Sequence, residues 1–370
     1  MRSVPTIASV TASAYEIPTD TAEADGTLSW TTTTLVVAEA EAGGKRGLGY
    51  TYAHPAAVPL IAGKLAEAVL GLDACAVPQA WQAMLRAVRN IGRPGLVATA
   101  ISALDAALWD LKAKLLELPL VTLLGAAREA VPVYGSGGFT SYSVKRLQEQ
   151  LAGWTAEGVR WVKMKVGSDP AADPARAAAA REAIGKAGLF VDANGAYDRK
   201  EALAMAERFA ALGVAWFEEP VSSDDLAGLR LLRDRAPAGM RIAAGEYGYD
   251  LGYFRRMLEV EAIDVLQADA TRCLGITGFL AADALCEARS LPLSSHCAPA
   301  LHLHPALAAK RFWNVEWFHD HVRIEQMLFD GAPRLAQGVI RADLARPGLG
   351  LELKRADAAR FAIQAPGGNA

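Results

Sequence analysis

Residues 161–167, Trp-Val-Lys-Met-Lys-Val-Gly, and residues 189–195, Leu-Phe-Val-Asp-Ala-Asn-Gly, are two short apolar runs separated by an Ala-rich segment that contains Ala177–Ala180. A β-run, a helical segment and a second β-run make a strand–crossover–strand unit, and here the unit repeats. Outward from this pair, further runs occupy 131–136, 214–220, 241–247, 264–270, 292–296 and 312–317. Eight such runs, alternating with helical pattern, predict parallel strands that close into an α/β, (β/α)8-type TIM barrel over 129–345. The glycines of Gly135-Ser136-Gly137-Gly138 lack the spacing of a nucleotide fingerprint and read as a flexible loop after the first barrel strand.

Upstream, residues 1–128 predict an α+β capping domain. Ser3 to Tyr15 reads as a first strand, Thr31 to Ala40 is β-branched and apolar, and Gly43-Gly44 supplies a turn. Helical pattern then runs from about 57 to 125; in Ala98–Leu116, Ile101, Leu104, Leu108, Leu111 and Leu115 recur at three and four, and Pro119 follows. Residues 346–370 are expected to return to the cap and complete it, with the tail Ala365–Ala370 frayed.

Composition narrows the function classes. The chain has 370 residues, 52% of them hydrophobic and 21% charged, enough apolar material for a large core and the reverse of a disordered composition. Net charge is −3, so no basic excess exists to follow a phosphate backbone, and nucleic acid is not an expected partner. The uncharged stretches fall short of the ~18 apolar residues of a membrane span, and Ser3–Tyr15 is too polar for a secretory core. Cys75, Cys273, Cys286 and Cys297 form no CxxC pair, which fits reduced thiols and an expected cytoplasmic location.

The polar residues fall in one place on the pattern. Lys163 and Lys165 lie on the second run, Asp192 on the third, Glu218 and Glu219 on the fourth and Glu246 on the fifth. Asp269 lies on the sixth, His296 closes the seventh and Glu316 is on the eighth. In a barrel the C-terminal strand ends converge on the mouth that barrel enzymes use. Asp192, Glu246 and one of the Glu218-Glu219 pair come from adjacent strands about 4.8 Å apart, so their oxygens can meet around a hard cation, for which Mg²⁺ is suited. Lys163 and Lys165, two apart on a strand, project to one side, and each should lower the other's pKa. An aspartate on the neighbouring strand can fix the tautomer of His296. Zinc sites built from Cys297, His302 and His304, or from His319 and His321, match no familiar spacing. A metal flanked by a lysine and a His–Asp pair suits removal of the proton α to a carboxylate.

The order Lys-x-Lys, Asp, Glu, Glu, Asp, His, Glu resembles the enolase superfamily, and specifically its mandelate racemase subgroup. The resemblance rests on Val162-Lys163-Met164-Lys165, Val191-Asp192-Ala193-Asn194, Trp216-Phe217-Glu218-Glu219-Pro220, Gly245-Glu246, Gln267-Ala268-Asp269, Ser294-Ser295-His296 and Asn314-Val315-Glu316. It implies that Glu218, not Glu219, is the second metal ligand, that Glu219 pairs with a lysine or arginine nearby, and that Glu316 helps hold the substrate carboxylate. It implies two capping loops, around Pro18–Trp30 and Tyr50–His54, that close over the mouth and choose the substrate. Trp30 and Tyr52 in those loops, with Ser136 and Asn194, are the expected substrate-binding residues. Arg272 and Leu274 depart from the subgroup's pattern at positions expected to touch neither ligands nor bases. The implied activity is Mg²⁺-dependent dehydration of an aldonate or aldarate by a homo-oligomer, with Lys163, Lys165, Asp269, His296 and Glu316 catalytic. Racemisation, epimerisation or lactone cycloisomerisation at the same site, and a catalytically silent sugar-acid or metal-binding barrel, are the alternatives.

Overall fold

A computed structural model describes residues 5–363; the expectation for the tail lies outside them. The chain opens with three antiparallel strands, β1 (Ser9–Ala24), β2 (Ser29–Ala42) and β3 (Lys45–Tyr52). Gly43 and Gly44, at φ 55° and 75°, make the β2–β3 turn, the doubly left-handed conformation that glycine adopts without steric cost. Helices α1 (Val77–Ala87) and α2 (Leu96–Leu115) follow. α2 is buried on nearly every side because it is wedged between this sheet and the barrel.

The stretch Pro18–Trp30, expected as a loop, is instead the far end of a long hairpin. β1 runs on to Ala24, with its register shifted between Pro18 and Glu23, and Asp25 Oδ1 closes the tip by accepting the N–H groups of Thr27 and Leu28. The alternating Thr residues give this segment strand character, and the missing proline N–H is accommodated where the register shifts.

The barrel has the expected eight parallel strands: β4 (Val131–Gly137), β5 (Trp161–Lys165), β6 (Gly188–Asp192), β7 (Val214–Glu218), β8 (Arg241–Ala244), β9 (Val265–Ala268), β10 (Leu293–Ser295) and β11 (Phe312–Phe318). They pair in sequence order, and β11 closes on β4. The alternating helices are α3 (Val144–Ala156), α4 (Asp173–Ile184), α5 (Arg199–Ala211), α6 (Leu226–Arg235), α7 (Leu251–Glu259), α8 (Gly275–Arg289), α9 (Pro299–Ala308) and α10 (His319–Leu328). Ser136 and Gly137 belong to strand β4 and not to a flexible loop. A Cβ at Gly135 would strike Trp154 and one at Gly137 would strike Gln150, so these glycines let α3 pack closely on the strand.

Two layers of inward side chains fill the barrel. Tyr134, Phe190 and Trp216 form an aromatic floor, with Phe190 stacked on Trp216 at 4.8 Å between centroids. Two residues further along each strand, on the same face, stand Ser136, Asp192 and Glu218, and β5 contributes Lys163 and Lys165. The register sets Lys165 beside Asp192 and Asp192 beside Glu218, so the charged layer is a direct product of strand alternation above a dry base. The C-terminal segment crosses back to the cap: Ile363 N–H donates to Ala14 O at 2.9 Å, and Arg355 pairs with Glu39. Among the described residues no helix is long and apolar enough to cross a membrane.

Candidate active site

Asp192 and Glu218 end their strands, and Glu246 follows β8 after Gly245, whose φ of 134° turns the chain toward the mouth. One oxygen from each carboxylate lies within 4.8 Å of the others, and all three residues are buried. Glu246 Oε2 makes no hydrogen bond. An oxygen-only donor set of three clustered carboxylates, one oxygen of it unsatisfied, fits a hard divalent cation such as Mg²⁺.

Lys163 lies at the centre of the charged layer. Its Nζ contacts Glu218 and, at 2.7 Å, Glu316, and is 3.5 Å from Asp192. Lys165 Nζ donates to Asp192 Oδ2. Mutual repulsion between the lysines does not decide their pKa values. Burial opposes the charged form of both, but the carboxylates of Glu218 and Glu316 for Lys163, and of Asp192 for Lys165, override it and hold both above the ordinary lysine value. The expected lowering is thus overturned wherever these ion pairs are made, because the attraction of the carboxylates outweighs the repulsion between the lysines.

On the opposite wall His296 Nδ1 is 2.7 Å from Asp269 Oδ2, and Asp269 Oδ1 accepts Thr271 N–H. Burial alone would raise the Asp269 pKa; the hydrogen bond and charge of His296 outweigh it and hold the carboxyl below its ordinary value. With Nδ1 engaged, His296 directs Nε2 inward, 3.3 Å from Glu246 Oε2. Glu316 is fixed by three donors: Lys163, Ser136 Oγ at 2.6 Å and Cys297 N–H at 2.7 Å. Ser136 therefore orients Glu316.

A cavity of about 440 Å³ opens above these groups. Trp30, Tyr52, Lys165, Asn194, Glu246 and His296 are in its wall. Trp30 is placed by its Nε1–H bond to Glu23 and by an edge contact with Phe139, and Tyr52 stacks on His321 at 3.4 Å. Tyr52 OH and Asn194 Oδ1 are buried without partners.

Three sequence expectations change. Among the described residues Glu219 pairs with no lysine or arginine: it is 1% exposed, its Oε1 has no partner there, and burial together with Glu246 and Asp192 pushes its pKa well up. Its φ of 35° takes it out of the strand, so the simple two-face alternation stops at Glu218. Arg272 does touch the machinery, with Nη1 3.4 Å from Glu246 Oε1 and Nε 3.7 Å from Asp269 Oδ2. Cys297, weighed only for zinc, brings its Sγ to 3.2 Å from His296 Nε2; its adjacency to His296 was the available signal. Of the remaining histidines, four serve the backbone, His302 Nε2 accepting Ala270 N–H, His304 Nδ1 accepting Val121 N–H, His321 Nδ1 accepting Ala298 N–H and His54 Nδ1 accepting Ala56 N–H, while His319 Nε2 lies 3.1 Å from Asp20 Oδ2. Leu274, the other departure, takes a left-handed φ of 70° and packs into the cap core.

Comparison with known proteins agrees with this geometry. Residues 8–125 match the model of the mandelate racemase/muconate lactonizing enzyme N-terminal domain, and residues 146–358 match the enolase C-terminal domain-like model. The chain is similar to the crystal structure of a mandelate racemase/muconate lactonizing enzyme-like protein from Rubrobacter xylanophilus, with 52% identity and a TM-score of 0.95 over 97% of this chain and 100% of that one. It is similar to L-talarate/galactarate dehydratase from Salmonella typhimurium LT2 liganded with Mg and L-lyxarohydroxamate, at 30% identity and TM-score 0.88 over 98% and 94% of the two chains. A 3,6-anhydro-alpha-L-galactonate cycloisomerase from Streptomyces coelicolor is 35% identical over 80% of this chain and 83% of its own.

Proposed function

The chain belongs to the mandelate racemase/muconate lactonizing enzyme family of the enolase superfamily, and from that premise we propose that it is a Mg²⁺-dependent hydro-lyase that dehydrates a sugar acid, an aldonate or aldarate, to the 2-keto-3-deoxy acid. One observation carries the reading: Lys165 and His296 flank a cluster of three carboxylates from opposite walls of one cavity.

Asp192, Glu218 and Glu246 would hold Mg²⁺, which supplies the positive charge that offsets negative charge gathering on the substrate carboxylate as the α-proton leaves. Lys163 binds and orients that carboxylate end, and Glu316, its ion-pair partner, holds Lys163 in place, with Ser136 and the Cys297 N–H fixing Glu316 in turn. His296, or Lys165 when the Asp192 carboxylate no longer holds its ammonium charged, takes the α-proton. His296 Nε2 then gives a proton to the β-hydroxyl, which departs as water with its bonding electrons, and the resulting enol becomes the 2-keto acid. Asp269 holds the His296 ring for both roles. The hairpin tip, with Trp30 above and Tyr52 beside the cavity, limits water access and contacts the sugar chain.

The test is His296→Asn. Loss of 2-keto-3-deoxy product, with Mg²⁺ affinity kept, is expected; full turnover by the variant would sink the reading. The cycloisomerase relative and the presence of a base on each wall also favour a second reading, in which the same site racemises a 2-hydroxy acid or isomerises a sugar lactone. Deuterium uptake at the α-carbon in D₂O without loss of water would mark it.

A further inference from the structure

Among the described residues three groups of side chains bring metal-ligating atoms within 4.8 Å of one another. One is the carboxylate cluster of the mouth. A second, His296, Cys297 and Glu316, is closed to a cation because Lys163, Ser136 and the Cys297 N–H already fill Glu316. The third joins Asp20 and Glu23 on β1 to His319, the first residue of α10, and the proposed reaction makes no use of it as a cluster.

Two independent observations single it out. His319 Nε2 is 3.1 Å from Asp20 Oδ2, a contact made through a proton that a cation can replace. Glu23 is 0% exposed; its Oε2 accepts the Trp30 indole N–H at 2.9 Å, and its Oε1 makes no hydrogen bond. A buried oxygen without a partner is costly unless positive charge meets it. The route to it runs between the side chains of Asp20 and His319, which are 37% and 26% exposed. Two guanidinium groups stand nearby. Arg323 is committed to Asp320, and Arg146, 3.1 Å from Asp20 Oδ2, lies on the exposed side, where it can turn out as an ion enters. One imidazole with two carboxylates is the donor set of a borderline cation such as Zn²⁺, whereas Mg²⁺ prefers oxygen alone. Ligand atoms about 2.0–2.2 Å from Zn²⁺ stand about 3.4 Å apart, so rotation of the two carboxylates suffices to close the cluster on the ion.

We propose that Asp20, Glu23 and His319 form a second metal site, selective for Zn²⁺ over Mg²⁺, that clamps the far end of the β1–β2 hairpin to the barrel. The ion ties the cap to the start of α10 and, through Glu23, holds the Trp30 indole at the mouth. Asp20 and His319 are 299 positions apart, so no spacing in the sequence shows the site.

The experiment titrates the full chain, stripped of metal and then held at saturating Mg²⁺ to occupy the mouth cluster, with Zn²⁺ by calorimetry and with Co²⁺ by visible absorption. One equivalent of Zn²⁺ should bind, the Co²⁺ spectrum should lack a thiolate charge-transfer band, and amide exchange across residues 19–30 should slow on binding. His319→Gln and Asp20→Ala, both at partly exposed side chains, should each weaken Zn²⁺ binding by about 100-fold, as should Glu23→Gln, and three variants guard against one that fails to fold. Cys297→Ser should leave the Zn²⁺ affinity as it is. No Zn²⁺ bound beside Mg²⁺, unchanged affinity in the folded variants, or a thiolate band that Cys297→Ser abolishes would each overturn the site. Amide exchange in the hairpin unaltered by bound Zn²⁺ would overturn the clamp.

Discussion

His296 depends on Asp269 for its orientation: the bond from Nδ1 leaves Nε2 as the group that faces the cavity. Asp269→Asn should therefore lower kcat by about 10²–10⁴ with a much smaller change in KM, measured as initial rates of keto-acid formation. A second residue-scale prediction concerns Glu23, which holds the Trp30 indole. Burial and the nearby Asp320 raise its pKa from 4.5 to about 8, with the Trp30 hydrogen bond opposing. The folded-state value lies above the unfolded one, so the protonated carboxyl's contribution to stability is complete below the unfolded value and is lost as pH rises through about 8. Glu23→Gln should denature at a higher midpoint than the parent by a margin that grows over that window; a constant margin would contradict this. At this scale the sequence was legible wherever a polar residue followed strand alternation: Lys163, Lys165, Asp192, Glu218 and Glu316 all emerge inside the barrel. It was not legible at Glu219 and Arg272. Glu219 escapes because a left-handed backbone breaks the alternation, and Arg272 because it reaches Glu246 and Asp269 from a loop.

At the scale of elements, the hydrophobic runs located every barrel strand, since both faces of a barrel strand are covered and the run is nearly continuous. Close backbone contacts escaped the reading. Gly47 and Gly49 lie on β3 where α2 crosses it, and a Cβ at Gly49 would strike Ala103 O, Ala107 N and the Ala106 Cβ. Gly49→Ala should cost about 1–3 kcal/mol as overpacking, read as a lower midpoint in chemical denaturation. The far end of the β1–β2 hairpin was equally hidden: Pro18 and the Thr residues after it read as loop, and only the pairing with β2 gives them a ladder. That pairing turns the mouth's cover into an ordered strand extension.

For the whole molecule, cap and barrel meet at the site, the barrel supplying the charged layer and the cap its cover. On the proposed reading the carboxylates would bind the cation only when three strands bring them together, so Mg²⁺ at about 100 times its Kd should stabilise the fold by about 2.7 kcal/mol. Glu246→Gln should remove most of that gain, seen as a melting midpoint that no longer rises with Mg²⁺. The central claim is that this assembled site removes an α-proton and expels the β-hydroxyl. Its most direct test is to incubate the full chain with Mg²⁺ and a library of aldonic and aldaric acids in D₂O, reading new keto groups with semicarbazide and deuterium by NMR. A 2-keto product from at least one acid, formed only with Mg²⁺ and lost in His296→Asn, is the predicted result. Deuterium entering the α-carbon with no keto product from any acid would contradict dehydration.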